Sequence, residues 1–175
     1  MLLRMRVLPP FRRLPELPGR RLGALLLPLL PVLLLALGPG CASAKYNRAW
    51  KRYEAPAESH PFEGRWEGGW RSEWNGHDGG LRCIVTREEA GGFLAWFDST
   101  YGIFSFRHKA LFTLTEDTAE RIRFEGAEDL GSMFGGVYTY DGAITGDDFQ
   151  AIYSAENGDH GVFTMTRVVP AVAEP

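Results

Sequence analysis

Phe104-Ser-Phe106-Arg-His108-Lys-Ala110-Leu-Phe112-Thr-Leu114-Thr115 alternates with period two: large or apolar side chains take the even positions, and Ser, Arg, Lys and Thr take most of the odd ones. Successive strand side chains point to opposite faces of a sheet, so this stretch reads as one long strand with an apolar face and a wet face. Wound into a helix it would spread Phe104, Phe106, Ala110 and Phe112 around the circumference and leave no apolar stripe. The same alternation recurs on both sides, predicting strands at 63–73, 80–87, 92–100, 104–115, 120–126, 136–144, 147–154 and 161–168. Proline is absent from Phe62 to Val169, although the chain holds 11, whereas 17 of its 21 glycines fall inside that span. Strands joined by glycine turns produce this contrast. The connections at 87–92, 116–119 and 146–147 are short and polar, so sequence neighbours should pair as antiparallel hairpins. The expected fold is all-β, an eight-stranded antiparallel up-and-down barrel over 62–169, because closure removes exposed strand edges.

The alternation also assigns faces. Trp66, Trp70, Leu81, Cys83, Val85, Phe93, Phe97, Phe104, Phe106, His108, Phe112, Phe124, Tyr138, Tyr140, Phe149, Tyr153, Phe163 and Met165 share the inward set. Arg65, Glu67, Arg82, Arg107, Lys109, Arg123 and Gln150 belong to the outward one. In such a meander the loops around 74–79, 99–103, 127–135 and 155–160 emerge at one end, and they are longer and richer in aromatics, His and Asp than the turns opposite.

Upstream the composition changes. Residues 1–40 hold six Arg and one Glu, while residues 41–175 hold 13 basic against 21 acidic residues. An acidic body lacks the phosphate-neutralising charge that drives nucleic-acid binding, so no nucleic-acid partner is expected. The apolar run Leu22–Leu37 after the arginines, closed by Gly38-Pro-Gly-Cys41, reads as an export signal. A cysteine after an apolar run and a small residue resembles the lipobox of bacterial lipoproteins. That resemblance implies a signal peptide over 1–40, lipidation at Cys41 and an exported chain anchored on the extracytoplasmic side of a membrane, plain secretion being the alternative. Residues 41–61 are polar without a sustained period and read as a tether, in which Trp50 and Tyr53 pack on the barrel or rest at a membrane interface. Residues 170–175 form a tail. Acylation of Cys41 leaves Cys83 without a partner, which makes it a small core residue.

Phe62-Glu-Gly64-Arg-Trp66 resembles the Gly-x-Trp that opens the first strand of lipocalins, avidins and related calycin barrels, and Phe163-Thr-Met-Thr-Arg167 is similar to their last strand. The resemblance implies that Arg167 packs across Trp66 at the closed end of the barrel, and that the long loops form an open mouth.

Chemistry-bearing candidates are few. Nucleophile-elbow, phosphate-loop, His-Glu-x-x-His and Cys-x-x-Cys patterns are absent, so no catalytic residues and no cofactor are expected, and the chain is read as a non-enzyme. Loops meeting across the barrel seam place His77 near Asp159 and His160; these are ordinary turn residues, with a divalent metal as the other reading. His108 on an apolar face is either a buried neutral imidazole held by a tyrosine or a polar anchor for a ligand. The inward rings Trp70, Phe97, Phe104, Phe106, Tyr138, Tyr140 and Tyr153, with His108, either line a site for a small apolar or aromatic ligand or simply fill the barrel. The first reading makes the protein a tethered binding barrel. The second makes it a structural or interaction module of the cell envelope.

Overall fold

The structure, a computed structural model, describes residues 43–169, so the expected signal segment, Cys41 and the tail lie outside the described residues. Eight strands follow one another: β1 (Gly64–Ser72), β2 (Asp78–Arg87), β3 (Phe93–Tyr101), β4 (Phe104–Asp117), β5 (Ile122–Asp129), β6 (Val137–Thr145), β7 (Asp148–Ala155) and β8 (His160–Arg167). Each pairs antiparallel with the next, and β1 pairs with β8, giving a closed up-and-down barrel. Its strand ends agree with the expected ones to within three residues.

The inward face packs as the alternation requires. Trp66, Cys83, Val85, Phe97, Phe112, Phe124, Phe149 and Met165 are buried, and burial holds the Cys83 thiol in its neutral form. Ile144, at the far end of β6, joins them. The deepest filling comes from Phe62, which precedes β1. Its ring enters the barrel base, 4.8 Å from the ring of Phe124 and 5.1 Å from that of Phe93. Glu63 then fastens the entering chain, its carboxylate accepting the backbone N–H groups of His60 and Arg87.

Residues 43–52, expected as tether without a regular period, form an α-helix, α1, laid on the outer barrel wall, and Trp50 packs there, one of its two expected placements. Tyr46 is fully buried, edge-on to Trp96 at 5.1 Å, and Trp50 lies under the Arg82 guanidinium at 5.2 Å. Asn47 accepts from Arg82 at 2.8 Å, and Ser43 accepts from Arg107 at 3.0 Å. Beneath the helix Asp98 is 2% exposed, between Arg82 Nη2 and Arg107 Nε. A carboxylate placed so far from water needs both guanidinium partners. The helix forms because 43, 46, 47 and 50 share one face at the helical period, and the barrel offers apolar Ile84 and Trp96 beneath it.

Candidate functional site

The two ends of the barrel differ. At the closed end Trp66 and Arg167 are directly opposite one another across the β1–β8 seam. The guanidinium carbon sits 4.2 Å from the indole centroid. Arg167 donates from Nη1 to the Glu63 carbonyl at 2.9 Å, from Nη2 to the Pro61 carbonyl and from Nε to Asp147 at 2.8 Å. Gly64 explains the motif's glycine: a Cβ there would stand 2.8 Å from Arg167 Nη1, and its φ of +146° disfavours other residues. The Trp66 indole donates to the Phe62 carbonyl at 3.2 Å. Inside the barrel this end is stacked, hydrogen-bonded and full; a groove of about 670 Å³ lies outside it, between residues 51–61 and Arg167.

The other end holds a cavity of about 500 Å³ at the mouth. Seven of the eight predicted lumen residues line it: Trp70, Phe104, Phe106, His108, Tyr138, Tyr140 and Tyr153. Phe97 does not. It is fully buried below, with its ring 4.9 Å from that of His108, so it forms part of the packed floor. Phe104 lines the cavity from the rim and is 71% exposed, because it begins β4 beyond the shelter of its neighbours.

Polar atoms are spaced sparingly around these rings. Trp70 Nε1 donates to the Thr100 carbonyl at 3.1 Å. His108 Nε2 lies 3.3 Å from the Tyr140 hydroxyl, while Nδ1 is shielded from solvent and has no protein partner. Burial lowers the pKa of His108 from its ordinary 6.5 to about 4, so the ring is neutral at physiological pH. Burial and the neighbouring Asp159 charge push the Tyr153 hydroxyl up to about 12. Asp159 Oδ1 accepts from Ser72 Oγ at 2.7 Å and from Tyr153 at 3.4 Å, and among the described residues Asp159 is the one charged side chain on the cavity wall.

Part of the wall is a flap that the strand pattern missed. Residues 130–136 carry the 3-10 turn Ser132–Phe134, bring Leu130 and Phe134 to the cavity, and set the Phe134 ring 4.8 Å from Phe106. Gly135 at φ +105° and Gly136 at φ +79° turn the chain back into β6, and a Cβ at Gly136 would collide with Glu156. A glycine pair before Val137 was the available signal.

The seam residues do not converge. His77 stacks on Tyr101 at 4.6 Å, Asp159 faces Ser72 and Tyr153, and His160 Nδ1 lies 2.9 Å from the Gly158 carbonyl. Among the described residues no group of three His, Cys, Asp or Glu side chains is arranged to hold a metal ion.

The fold and site define a class: an antiparallel eight-stranded barrel, filled at one end and hollow at the other. Comparison with known protein families, curated proteins and solved structures gives no match.

Proposed function

We propose that the chain is a calycin-like binding barrel, not an enzyme, that takes one small apolar or aromatic ligand at its mouth. The observation that carries this reading is the mouth cavity of about 500 Å³, a volume typical of small-molecule sites, walled by flat rings with a few convergent polar groups. The ligand stops at the floor formed by Phe97, because the barrel below it is packed with side chains. Its polar end meets His108 and Asp159. With no Lys or Arg on the wall among the described residues, a neutral or basic group suits that end better than a carboxylate.

Titration with N-phenyl-1-naphthylamine, a neutral planar probe that accepts energy from tryptophan, tests the reading. Saturable quenching of tryptophan emission at one probe per barrel is expected, and Asp159→Asn should narrow any preference for basic over acidic competitors. Absence of a saturable response to this probe and to fatty and aromatic competitors would leave the interaction module as the better account.

The lipobox resemblance at Cys41 supports an exported lipoprotein held at a membrane by its N-terminal lipid. Cys41→Ser should then release the protein into the soluble extracytoplasmic fraction. If the wild-type chain carries no acyl mass and its fractionation is unchanged by the substitution, this part of the reading is wrong.

A further inference from the structure

Helix α1 fixes the end from which the chain reaches the barrel. Ser43 Oγ accepts from Arg107 Nη2 at 3.0 Å, and the same nitrogen donates at 2.9 Å to Ser105 Oγ, one residue from the mouth tip of β4 at Phe104. At about 1.5 Å per residue the helix then covers about 15 Å of the wall. The Trp50 carbonyl near its far end accepts from Arg65, the second residue of β1, at the closed end. The chain therefore runs from the mouth toward the base. Two residues of chain reach no more than about 7 Å in any conformation, so an anchor at Cys41 starts from the mouth end.

The same end is apolar at its surface. Ile103 is 94% exposed, Met133 88%, Phe104 71%, Trp74 58% and Phe134 51%, and they come from three separate mouth connections. At the base the turns read Glu88-Glu-Ala-Gly-Gly92 and Asp117-Thr-Ala-Glu-Arg121, and Val169 is the one large exposed apolar side chain among the described residues there. Scattered exposed apolar residues are ordinary, but a rim of them around a cavity mouth on one end is the pattern of a contact surface.

We propose that the mouth rim is a bilayer-docking surface: the barrel stands with its open end against the membrane that anchors it, Ile103 and Met133 reaching the boundary between headgroups and acyl chains. The proposal rests on the membrane-anchored reading above for its attachment, and on the rim for its contact. Glu73, Asp78, Asp129 and Glu156 border the rim and outnumber Arg71, which pairs across from Asp78, so the attraction is to apolar chains and not to anionic headgroups. A ligand of low water solubility would then pass between bilayer and cavity without crossing open water.

The test uses the full chain reconstituted in phosphatidylcholine vesicles that contain nitroxide-labelled lipid. Ile103→Cys, Met133→Cys and Glu89→Cys, the last on the β2–β3 turn at the base, each carry an environment-sensitive fluorophore, with the unsubstituted chain as the background for Cys41. Dyes at 103 and 133 should emit to the blue and be quenched several-fold more than the dye at 89. Because both rim residues are almost wholly exposed, the substitutions leave the core intact, and adding Met133→Asp should reduce quenching at 103. Rim dyes in water while the chain stays on the membrane would overturn the docking and leave the anchor standing. Rim quenching that survives loss of acylation in Cys41→Ser would support the docking and show that it does not depend on the anchor. A concentration-dependent blue shift without vesicles would overturn the proposal in favour of a second copy on the rim.

Discussion

The base and the mouth of this barrel are built from the same inward alternation, yet one is full and the other hollow, and the difference lies in which rings are used. Below the Phe97 floor the rings are Phe62, Phe93, Phe112, Phe124 and Phe149, with the Trp66 indole donating to the Phe62 carbonyl. Phenylalanine has no polar atom, so these rings can be sealed against one another and against Phe62 at no hydrogen-bonding cost. Above the floor stand Trp70, His108, Tyr138, Tyr140 and Tyr153, whose polar atoms need partners and hold the rings against the wall. Thr100, His108 and Asp159 provide partners for Trp70, Tyr140 and Tyr153. Along β6 the change occurs within one strand, from Tyr138 and Tyr140 at the mouth to Gly142 and Ile144 at the base. Phe104, Phe106 and Phe163 stand among the mouth rings, so the lesson is that a base built almost wholly of Phe rings can close, whereas Trp, Tyr and His mixed into the mouth rings hold the wall apart from its opposite.

If this division is right, the base should carry most of the stability that apolar packing supplies, and the rim almost none. Trp66→Ala removes a fully buried indole and should cost about 3–5 kcal/mol in denaturant unfolding. Arg167→Ala should cost less, and the double-mutant cycle should show coupling, since the guanidinium lies 4.2 Å from the ring; additivity would break the closed-end half of the comparison.

Acid should act next most strongly, and through the mouth. His108 binds its proton less readily folded, at about 4, than unfolded, at 6.5, so the unfolded chain takes up the proton first as pH falls. The contribution of the neutral ring is therefore complete above about 6.5 and is lost between 6.5 and 4, amounting to roughly 3 kcal/mol. Unfolding measured across that window should show this slope, and His108→Gln should flatten it. An unchanged slope would mean that His108 is more open to water than its place beside Phe97 and Phe106 suggests.

Smallest of all, Ile103→Ser at the rim should change stability by less than about 0.5 kcal/mol, because a side chain 94% exposed gives up almost no burial. Thermal or denaturant unfolding as costly as that of a base substitution would show that the rim is part of the core.

Most of the barrel was legible because a half-buried strand writes its facing into every second residue, as Phe104 through Leu114 do. The Trp66–Arg167 pair was legible from the two end motifs, and seven of the eight lumen residues from their facing. What the alternation lacks is depth: it marks Phe97 and Tyr140 alike as inward, and only the stagger of the strands puts one in the floor and the other on the wall. Helix α1 escaped because Ser43, Tyr46, Asn47 and Trp50 make one short stripe among Lys and Arg, and the wall that stabilises it depends on Ile84 and Trp96, which stand between the inward residues of their strands. Asp98 was missed for the same reason, its burial being set by α1 and not by its own strand. The 127–135 loop was placed at the mouth by its length and aromatics, but it has no period, so that Phe134 folds onto the cavity wall was not legible.

The measurement that tests the hollow mouth most directly is the map of backbone amide shifts in the isotope-labelled protein on titration with N-phenyl-1-naphthylamine. The account predicts saturable shifts at 99–106, 130–140 and 153–163, with Phe62, Trp66, Phe124 and Phe149 unmoved. Shifts centred on the base, or none at saturating probe, would contradict it.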